Sequence, residues 1–243
     1  MRRRKARERE GLFVAEGVRA VEEVLRAQYP AVGALISPTL AEAPRGRALR
    51  EALEAAGVPL TDVNDREFAS AADTESPQGV LLVARIPAPA LPAVSATTRV
   101  LVLDALQDPG NVGTVLRTAA ALGVAATIVL PGTVDPWNAK VVRAAVGAQC
   151  HHPVVSLDLE ACLQWLSAHG VPLWGADHRG RVVGDASRRP LGPLALVVGN
   201  EGAGLTDTVR AACAELVAIP IGTAVESLNV GVAAGILLWE LRA

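Results

Sequence analysis

The sequence predicts an α/β protein in which a small α/β module precedes a larger domain built on a parallel sheet. Two observations support this fold class. Short apolar segments alternate with segments of helical periodicity along most of the chain. A proline-rich stretch at 87–98 divides the chain into two parts. A third observation concerns function, because three predicted strands are followed by loops rich in Gly, Asn or Ser.

The first part, residues 1–86, is predicted to contain helices at 16–28 and 47–56 and strands at 31–36 and 79–84. Each predicted strand is a short apolar run bounded by turn residues, which is typical of buried strands. Three prolines and no charged residue follow within 87–98. Such a stretch cannot continue a helix, so we interpret it as a linker after a small α/β module.

The second part, residues 99–243, alternates strands and helices more strongly. Predicted strands lie at 100–104, 126–130, 154–155, 173–176, 194–198 and 216–219, and predicted helices at 112–122, 138–147, 159–168 and 228–241. Apolar strands that alternate with helices predict a parallel sheet covered on both faces. Ligands of such sheets bind beyond the carboxyl ends of the strands, which draws attention to the loops there.

Composition excludes several classes of protein. The formal net charge of −2 on 243 residues argues against a globally basic nucleic-acid binder. The longer apolar runs fall short of the roughly 20 residues of a membrane span, and the basic start is not followed by an apolar signal-peptide core. We therefore expect a cytoplasmic protein without a membrane partner. The three cysteines lack C-x-x-C spacing, so we expect no disulfide framework and no metal site.

The beginning of the chain is locally basic. Six of the first ten residues carry positive charge: Arg2, Arg3, Arg4, Lys5, Arg7 and Arg9. A basic arm of this kind can contact phosphates, and it can equally be a solvated terminus. The sequence leaves both interpretations open.

The first loop, 108–113, follows a strand and opens a helix in which Asn111 is expected to be the cap and Arg117 follows six residues later. The second loop, 199–204, has three glycines, which allow backbone to approach a ligand closely. Its Glu201 would repel an anion, so a ligand with a hydroxyl group or a positive centre fits better. Taken alone, each of these loops could also be an ordinary turn or cap.

The third loop begins at Ile219, and Ser227 is expected to cap the final helix. Small residues in that helix would allow close packing, either within the fold or against a second subunit. No loop matches G-x-G-x-x-G after the first strand or G-x-x-x-x-G-K-[ST]. The sequence therefore disfavours a Rossmann dehydrogenase, an ordinary Rossmann-type methyltransferase and a P-loop enzyme.

In combination the loops resemble the three signature motifs of the SpoU (TrmH-like) RNA ribose methyltransferases of the SPOUT class. They match in order as N-x-G-x-x-x-R at 111–117, G-N-E-x-x-G-L at 199–205 and I-P-x-x-G-x-x-x-S-L-N-V at 219–230. Residue Ile221 stands where the family often has Met. Segments 2–23 and 73–80 resemble the opening and closing of the family's N-terminal substrate-binding domain, which is similar to ribosomal protein L30e.

The resemblance implies a homodimer, a deep trefoil knot at the C-terminus and an active site completed across the dimer interface. The implied domains are an L30e-like RNA-binding domain at 1–86, a linker at 87–98 and a SPOUT domain at 99–243. The implied methyl donor is S-adenosylmethionine, with no metal required. The implied donor-binding residues are Gly199, Ile219, Leu228, Ala176 and Gly222.

The implied catalytic residues are Arg117, Asn111, Glu201, Ser227 and Asn229. Family proposals assign Arg117 to the proton of the 2′-hydroxyl, but a guanidinium is effectively never deprotonated in proteins. We therefore expect Arg117 to hold the target phosphate and to stabilise the developing alkoxide. Asn111 and Asn229 would position the RNA or Arg117, Glu201 would orient polar partners, and Ser227 would cap the last helix and contact the substrate.

The predicted function is methyl transfer to a ribose 2′-hydroxyl of RNA. The additional N-terminal domain favours ribosomal RNA over transfer RNA as the substrate. The alternatives are a tRNA ribose methyltransferase, a non-catalytic RNA- or ribosome-binding protein with the same fold, and a SPOUT base methyltransferase. The intact set of five implied catalytic residues argues against the non-catalytic alternative, and base methyltransferases generally lack the N-x-G-x-x-x-R motif.

Overall fold

The computed structural model describes residues 4–88, 90–184 and 190–243. In chain order the helices are α1 Arg4–Glu10, α2 Val18–Arg26, α3 Pro44–Ala55, α4 Asp65–Ala71, α5 Pro109–Ala121, α6 Ala139–Ala144, α7 Leu159–Ala168, α8 Asp207–Ala212 and α9 Val230–Glu240. The strands are β1 Leu12–Glu16, β2 Ala31–Ile36, β3 Leu60–Asp62, β4 Val80–Arg85, β5 Arg99–Leu103, β6 Ala126–Val129, β7 Val154–Ser156, β8 Leu173–Val182, β9 Leu194–Val198 and β10 Glu215–Ala218.

Two compact units divide the chain. The first consists of residues 1–88 and 135–151, and the second of residues 89–134 and 152–243. Of the predicted basic arm, Arg2 and Arg3 lie outside the described residues, whereas Arg4, Lys5, Arg7 and Arg9 are in α1. Among the described residues, no helix has both the length and the apolar character that crossing a membrane requires.

The first unit is built on a four-stranded mixed sheet. Its strand order is β1-β4-β2-β3, with β4 antiparallel to both neighbours and β2 parallel to β3. The core of this unit includes residues that lie far along the chain, because the ring of Trp137 lies 4.7 Å from that of Phe13 and Val142 is fully buried. The predicted domains placed 135–151 with the methyltransferase part, whereas by packing this segment belongs to the first unit.

The second unit is built on a six-stranded sheet with the order β10-β8-β9-β5-β6-β7. Every pairing in it is parallel, so the predicted parallel sheet is confirmed. The central strands β5 and β9 are buried at every residue, as their uninterrupted apolar sequences predict. The C-terminal knot and the L30e-like character of the first unit stay predictions.

Strand β8 is longer than predicted. The apolar run ends at Ala176, but the strand continues to Val182 because Arg181 and Val182 pair with β10 after a shift in register. Gly180 permits this approach, since a Cβ there would lie 2.4 Å from the carbonyl carbon of Leu216. The extension is polar and partly exposed, so it lacks the apolar signal that marks the other strands.

Candidate active site

The three loops singled out in the sequence leave the carboxyl ends of three strands of one parallel sheet. The first follows β5, the second follows β9, and the third follows β10. Strands β5 and β9 are direct neighbours, and β8 separates β9 from β10. All three loops therefore meet at the edge of the sheet where ligands of open α/β folds bind.

The helix that follows the first loop begins earlier than predicted. Asp108 caps α5, since its carboxylate accepts a hydrogen bond of 2.8 Å from the backbone N–H of Asn111. Pro109 occupies the first turn, which its fixed φ angle favours. The expectation that Asn111 caps this helix was wrong. Its side chain lies inside the first turn and is free to bond elsewhere.

The cap of the last helix also differs from the prediction. Asn229 caps α9 by accepting hydrogen bonds from the backbone N–H groups of Gly231 at 2.9 Å and Val232 at 3.4 Å. Ser227 lies two residues before the cap and is exposed. The expectation that Ser227 caps the helix was therefore wrong, because the helix starts later than its apolar pattern suggested.

A chain of side-chain hydrogen bonds joins the three loops. The amide nitrogen of Asn111 donates to Glu201 Oε1 at 3.0 Å, and its amide oxygen accepts from Asn229 Nδ2 at 2.8 Å. Glu201 also accepts longer hydrogen bonds from the backbone N–H groups of Gln107 and Asp108. The structure thus brings three predicted catalytic residues into one network.

The environment of Glu201 keeps its carboxylate ionised. Partial burial acts to raise its pKa, but hydrogen bonds from Asn111 and from nearby backbone N–H groups outweigh that effect. The net result is a pKa below the ordinary value of 4.5. Glu201 is therefore an acceptor of hydrogen bonds at neutral pH and places a negative charge at the mouth of the site.

The second loop is held closed by its own backbone. Asn200 and Gly204 exchange two backbone hydrogen bonds of 2.9 Å, and Gly204 has a positive φ angle of 71°. A Cβ at Gly199 would lie 2.3 Å from the carbonyl carbon of Gly204, so only glycine fits there. The amide oxygen of Asn200 also accepts hydrogen bonds from Gly202 and Ala203. Close approach within the loop thus accounts for Gly199.

A cavity of about 550 Å³ lies beside the second and third loops. Among the predicted site residues, it is lined by Ala176, Gly199, Glu201, Ile219, Ser227 and Leu228, whereas Gly222, Asn111, Arg117 and Asn229 do not line it. Apolar groups of Val198 and Leu237 line it as well. Its size falls within the roughly 300–1,000 Å³ of small-molecule sites, and its apolar walls with a polar rim suit a nucleoside-containing ligand.

Arg117 lies on the exposed surface of α5. Within the part of the chain that the structure describes, its guanidinium makes no hydrogen bond and no ion pair. The same helix packs closely on α9, since a Cβ at Gly231 would lie 3.0 Å from Thr114 Cγ2. The small residues of the last helix therefore serve packing within the fold, while Arg117 stays available to a ligand.

Several residues at the cavity were not singled out in the sequence, among them the two members of an ion pair. Asp177 and Arg210 both line the cavity and form this ion pair, with the Asp177 side chain only 4% exposed. Asp177 directly follows the predicted end of a strand at Ala176, and that position could have singled it out. Among the described residues, no group of three or more His, Cys, Asp or Glu side chains is placed to hold a metal ion.

The sequence matches the models of two known protein families. Residues 98–239 match the sequence model of the SpoU rRNA Methylase family. The chain belongs to this family. Residues 1–82 match a second family model, that of the MRM3-like substrate binding domain. The predicted membership of the SpoU family is thus confirmed, and the two matches together span nearly the whole chain.

One relative and two solved structures illustrate the similarity over most of the chain. The chain is 33% identical over 240 residues to the 23S rRNA (guanosine(2553)-2′-O)-methyltransferase RlmP of Bacillus subtilis, an alignment that covers 98% of this chain and 92% of that relative. Two of the similar solved structures contain the bound donor AdoMet. The AdoMet-bound rRNA methyltransferase from Sinorhizobium meliloti has a TM-score of 0.85 at 27% identity, covering 99% of this chain and 90% of that one. The SpoU methyltransferase AviRb from Streptomyces viridochromogenes, in complex with AdoMet, has a TM-score of 0.87 at 26% identity, covering 98% and 92%.

Proposed function

We propose that this protein transfers the methyl group of S-adenosylmethionine to a ribose 2′-hydroxyl of 23S ribosomal RNA. The predicted enzyme class and methyl donor are confirmed at the level of the family. The observation that carries the proposal is the Asn111–Glu201–Asn229 network beside a cavity of suitable size, with an exposed Arg117 on the helix that contains Asn111.

The cavity supports binding of the donor by backbone and apolar groups. The residues that would hold S-adenosylmethionine are Gly199, Ile219, Leu228 and Ala176, all of which line the cavity. When bound, the donor supplies an electrophilic methyl group that is transferred by in-line displacement. The negative charge of Glu201 at the cavity favours a ligand that carries positive charge.

The second part of the proposal concerns Arg117. A 2′-hydroxyl is a weak acid, so negative charge develops on its oxygen as the new bond to carbon forms. An exposed guanidinium can hold the adjacent phosphate with two parallel hydrogen bonds and stabilise that developing charge. The network of Asn111 and Asn229 would fix the first turn of α5, and Arg117 follows Asn111 by about 1.7 turns of the same helix.

A homodimer is the third part of the proposal. Val232, Ile236 and Trp239 are 52%, 37% and 52% exposed, and their spacing of four and three residues places them on one face of α9. An exposed apolar stripe of this kind is typical of an interface. Asn229 caps the start of this helix, so a second copy seated on α9 would lie close to the Asn111–Glu201–Asn229 network.

The dimer can be tested by charge insertion. Trp239→Lys should shift the sedimentation coefficient from that of a dimer to that of a monomer, because a buried ammonium would lack a partner. Val32→Lys is the matched control, since Val32 is likewise an apolar residue, 45% exposed, but does not belong to the stripe on α9. A wild-type protein that sediments as a monomer at assay concentrations would rule out the dimer.

The activity is tested with radiolabelled S-adenosylmethionine, unmodified 23S rRNA transcript and unmodified transfer RNA. We expect transfer to the rRNA, and mapping of 2′-O-methyl groups in a deletion strain against wild type should reveal the nucleotide. Transfer to transfer RNA alone would favour the alternative substrate. A protein that binds neither the donor nor shows transfer would support the non-catalytic alternative. The cytoplasmic location stays a prediction.

A further inference from the structure

A second polar cavity lies within the first unit. It has a volume of about 240 Å³ and is formed where the start of α2, the segment 73–80 and α6 come together. Its lining includes Arg19, Arg143, Thr74, Ser76, Gln78 and Glu16. We call it the Arg19–Arg143 pocket. The two sequence segments that resemble the opening and closing of the substrate-binding domain meet in it, and neither is used by the active site described above.

Glu16 is the carboxylate among the lining residues, and its oxygens are already bonded. Its side chain is 3% exposed and accepts hydrogen bonds from the backbone N–H groups of Asp73 at 2.9 Å and Thr74 at 3.2 Å. The Thr74 hydroxyl donates to it as well, and Arg143 Nη1 lies 3.4 Å away. Both carboxylate oxygens of Glu16 are therefore engaged by hydrogen bonds from four donors of the protein.

The remaining groups of the pocket are donors. Arg143 is one-third exposed and uses one nitrogen on Glu16, so most of its five N–H groups stay available. Arg19 is exposed, and its guanidinium forms no hydrogen bond or ion pair with any residue that the structure describes. The amide oxygen of Gln78 accepts from the backbone N–H of Val18 at 2.9 Å, which leaves the amide nitrogen as its free group.

We propose that the Arg19–Arg143 pocket binds a phosphodiester group of the substrate RNA. The pocket offers two arginines, the hydroxyl of Ser76 and the amide nitrogen of Gln78 as donors. These donors match the acceptor oxygens of a phosphate. Residues 1–82, which supply every group of the pocket except Arg143 and Val146, match the model of a substrate-binding domain, which favours RNA over a free anion. This inference rests on the proposed function for the identity of the RNA.

Arg143 gives the pocket a particular construction. It comes from the segment 135–151, which lies within the stretch that matches the methylase family but packs in the first unit. The substrate-binding surface is thus made from two separate parts of the chain. A contact at this pocket adds affinity and register to RNA binding without touching the reacting ribose.

The central test compares Arg19→Gln with Arg26→Gln. Both arginines are exposed on α2, but Arg26 lies at its other end and pairs with Glu23. We measure the affinity of the full-length protein for unmodified 23S rRNA at several salt concentrations. Arg19→Gln should weaken binding roughly tenfold and lower the salt slope by about one unit, while Arg26→Gln stays close to wild type. The dissociation constant for S-adenosylmethionine and kcat at saturating rRNA should not change.

Arg143→Lys provides the second variant. It keeps a positive charge beside Glu16 but loses the planar fork, so we expect a smaller loss of rRNA affinity at an unchanged midpoint of thermal unfolding. If Arg19→Gln binds rRNA with the affinity and the salt slope of the wild type, the proposal is overturned.

Inorganic phosphate and guanosine 5′-monophosphate separate RNA from free anions. Saturable binding of either that Arg19→Gln abolishes, together with unchanged rRNA affinity, would identify a small-anion site and overturn the assignment to RNA. Failure of the proposed function is distinguishable, because it would appear as absent methyl transfer by the wild-type protein. Failure of the pocket appears only as equality of variant and wild type in binding.

Discussion

The amino ends of the parallel strands form one edge of the six-stranded sheet, the amino edge, and their carboxyl ends form the other, the carboxyl edge. Residues of the same type serve different purposes near these two edges. At the amino edge, Arg99 is buried and donates to four backbone carbonyl oxygens, those of Leu241, Thr98, Gly192 and Pro190. Arg117, on the helix α5 that follows the carboxyl end of β5, is exposed and has no hydrogen-bond or ion-pair partner among the described residues. The surroundings therefore decide whether an arginine stabilises the fold or stays free for a ligand.

The same contrast holds for other polar groups. His152 is buried at the amino edge, where its Nε2 lies 2.7 Å from the hydroxyl of Thr127. At the carboxyl edge, Glu201 is exposed and linked to the other loops through Asn111. Polar side chains at one edge are satisfied inside the protein, whereas at the other they border a cavity.

The strongest test of this contrast is Arg117→Ala. We expect methyl transfer to fall by about three orders of magnitude, because the developing charge and the phosphate lose their cation. Binding of S-adenosylmethionine, measured by calorimetry, should persist, and thermal unfolding should not change. Arg66→Ala, which removes an exposed arginine in the first unit, is the control. Near-normal activity of Arg117→Ala would remove this residue from the mechanism.

Arg99→Met should act chiefly on the stability of the fold. The change strands several buried carbonyl oxygens that the guanidinium now satisfies, at a cost of about 2–4 kcal/mol in the free energy of unfolding. Urea denaturation of the variant against wild type measures this loss, and Arg66→Met is the exposed control. If both variants unfold at the same urea concentration, Arg99 does not stabilise the amino edge.

Glu201→Gln should affect activity more than stability. The variant keeps the shape of the side chain but loses the charge and introduces an amide N–H group opposite that of Asn111. We expect kcat/KM for rRNA to fall by roughly 10- to 100-fold, because the link between the first and second loops is weakened. Glu201→Asp is the matched control, because it keeps the negative charge at this position. An unchanged kcat/KM would mean that the network does not organise the site.

The smallest effect is a pH dependence at the amino edge. Burial lowers the pKa of His152 to about 4 from the ordinary value of 6.5, despite a backbone hydrogen bond at Val124 that acts to raise it. Above pH 6.5 the ring is neutral in both the folded and unfolded states. As the pH falls from 6.5 towards 4, the unfolded state binds a proton that the folded state does not, and stability declines by about 1.4 kcal/mol per pH unit.

His152→Gln tests this linkage through urea denaturation between pH 7 and pH 5. The variant should lose part of the decline that wild type shows over this interval, whatever its absolute stability. His178→Gln is the control, because His178 is exposed. If His152→Gln and wild type decline in parallel, buried His152 is not the source of the pH dependence.

Much of the second unit could be predicted from local sequence. The apolar runs of β5 and β9 marked a buried parallel sheet, and helix α7 was predicted with the bounds that it has. Short elements were missed, such as β3 with three residues and α8 with six, because so few residues show no recognisable period.

Cap positions were harder to predict. Asp108 and Asn229 cap their helices, where Asn111 and Ser227 were expected. Asp, Asn and Ser are all good capping residues, so their identity does not distinguish between neighbouring positions. The start of each helix depends instead on where the chain turns after it leaves the preceding strand.

Taken by itself, the sequence determined the class of fold, the family and the order of three motifs, because these depend on the spacing of residues along the chain. Only the tertiary structure decided which side chains meet. Asn111 bonds to Glu201 and Asn229, which lie 90 and 118 residues further along. It also decided that 135–151 packs in the first unit, because burial depends on neighbours in space that spacing along the chain does not specify.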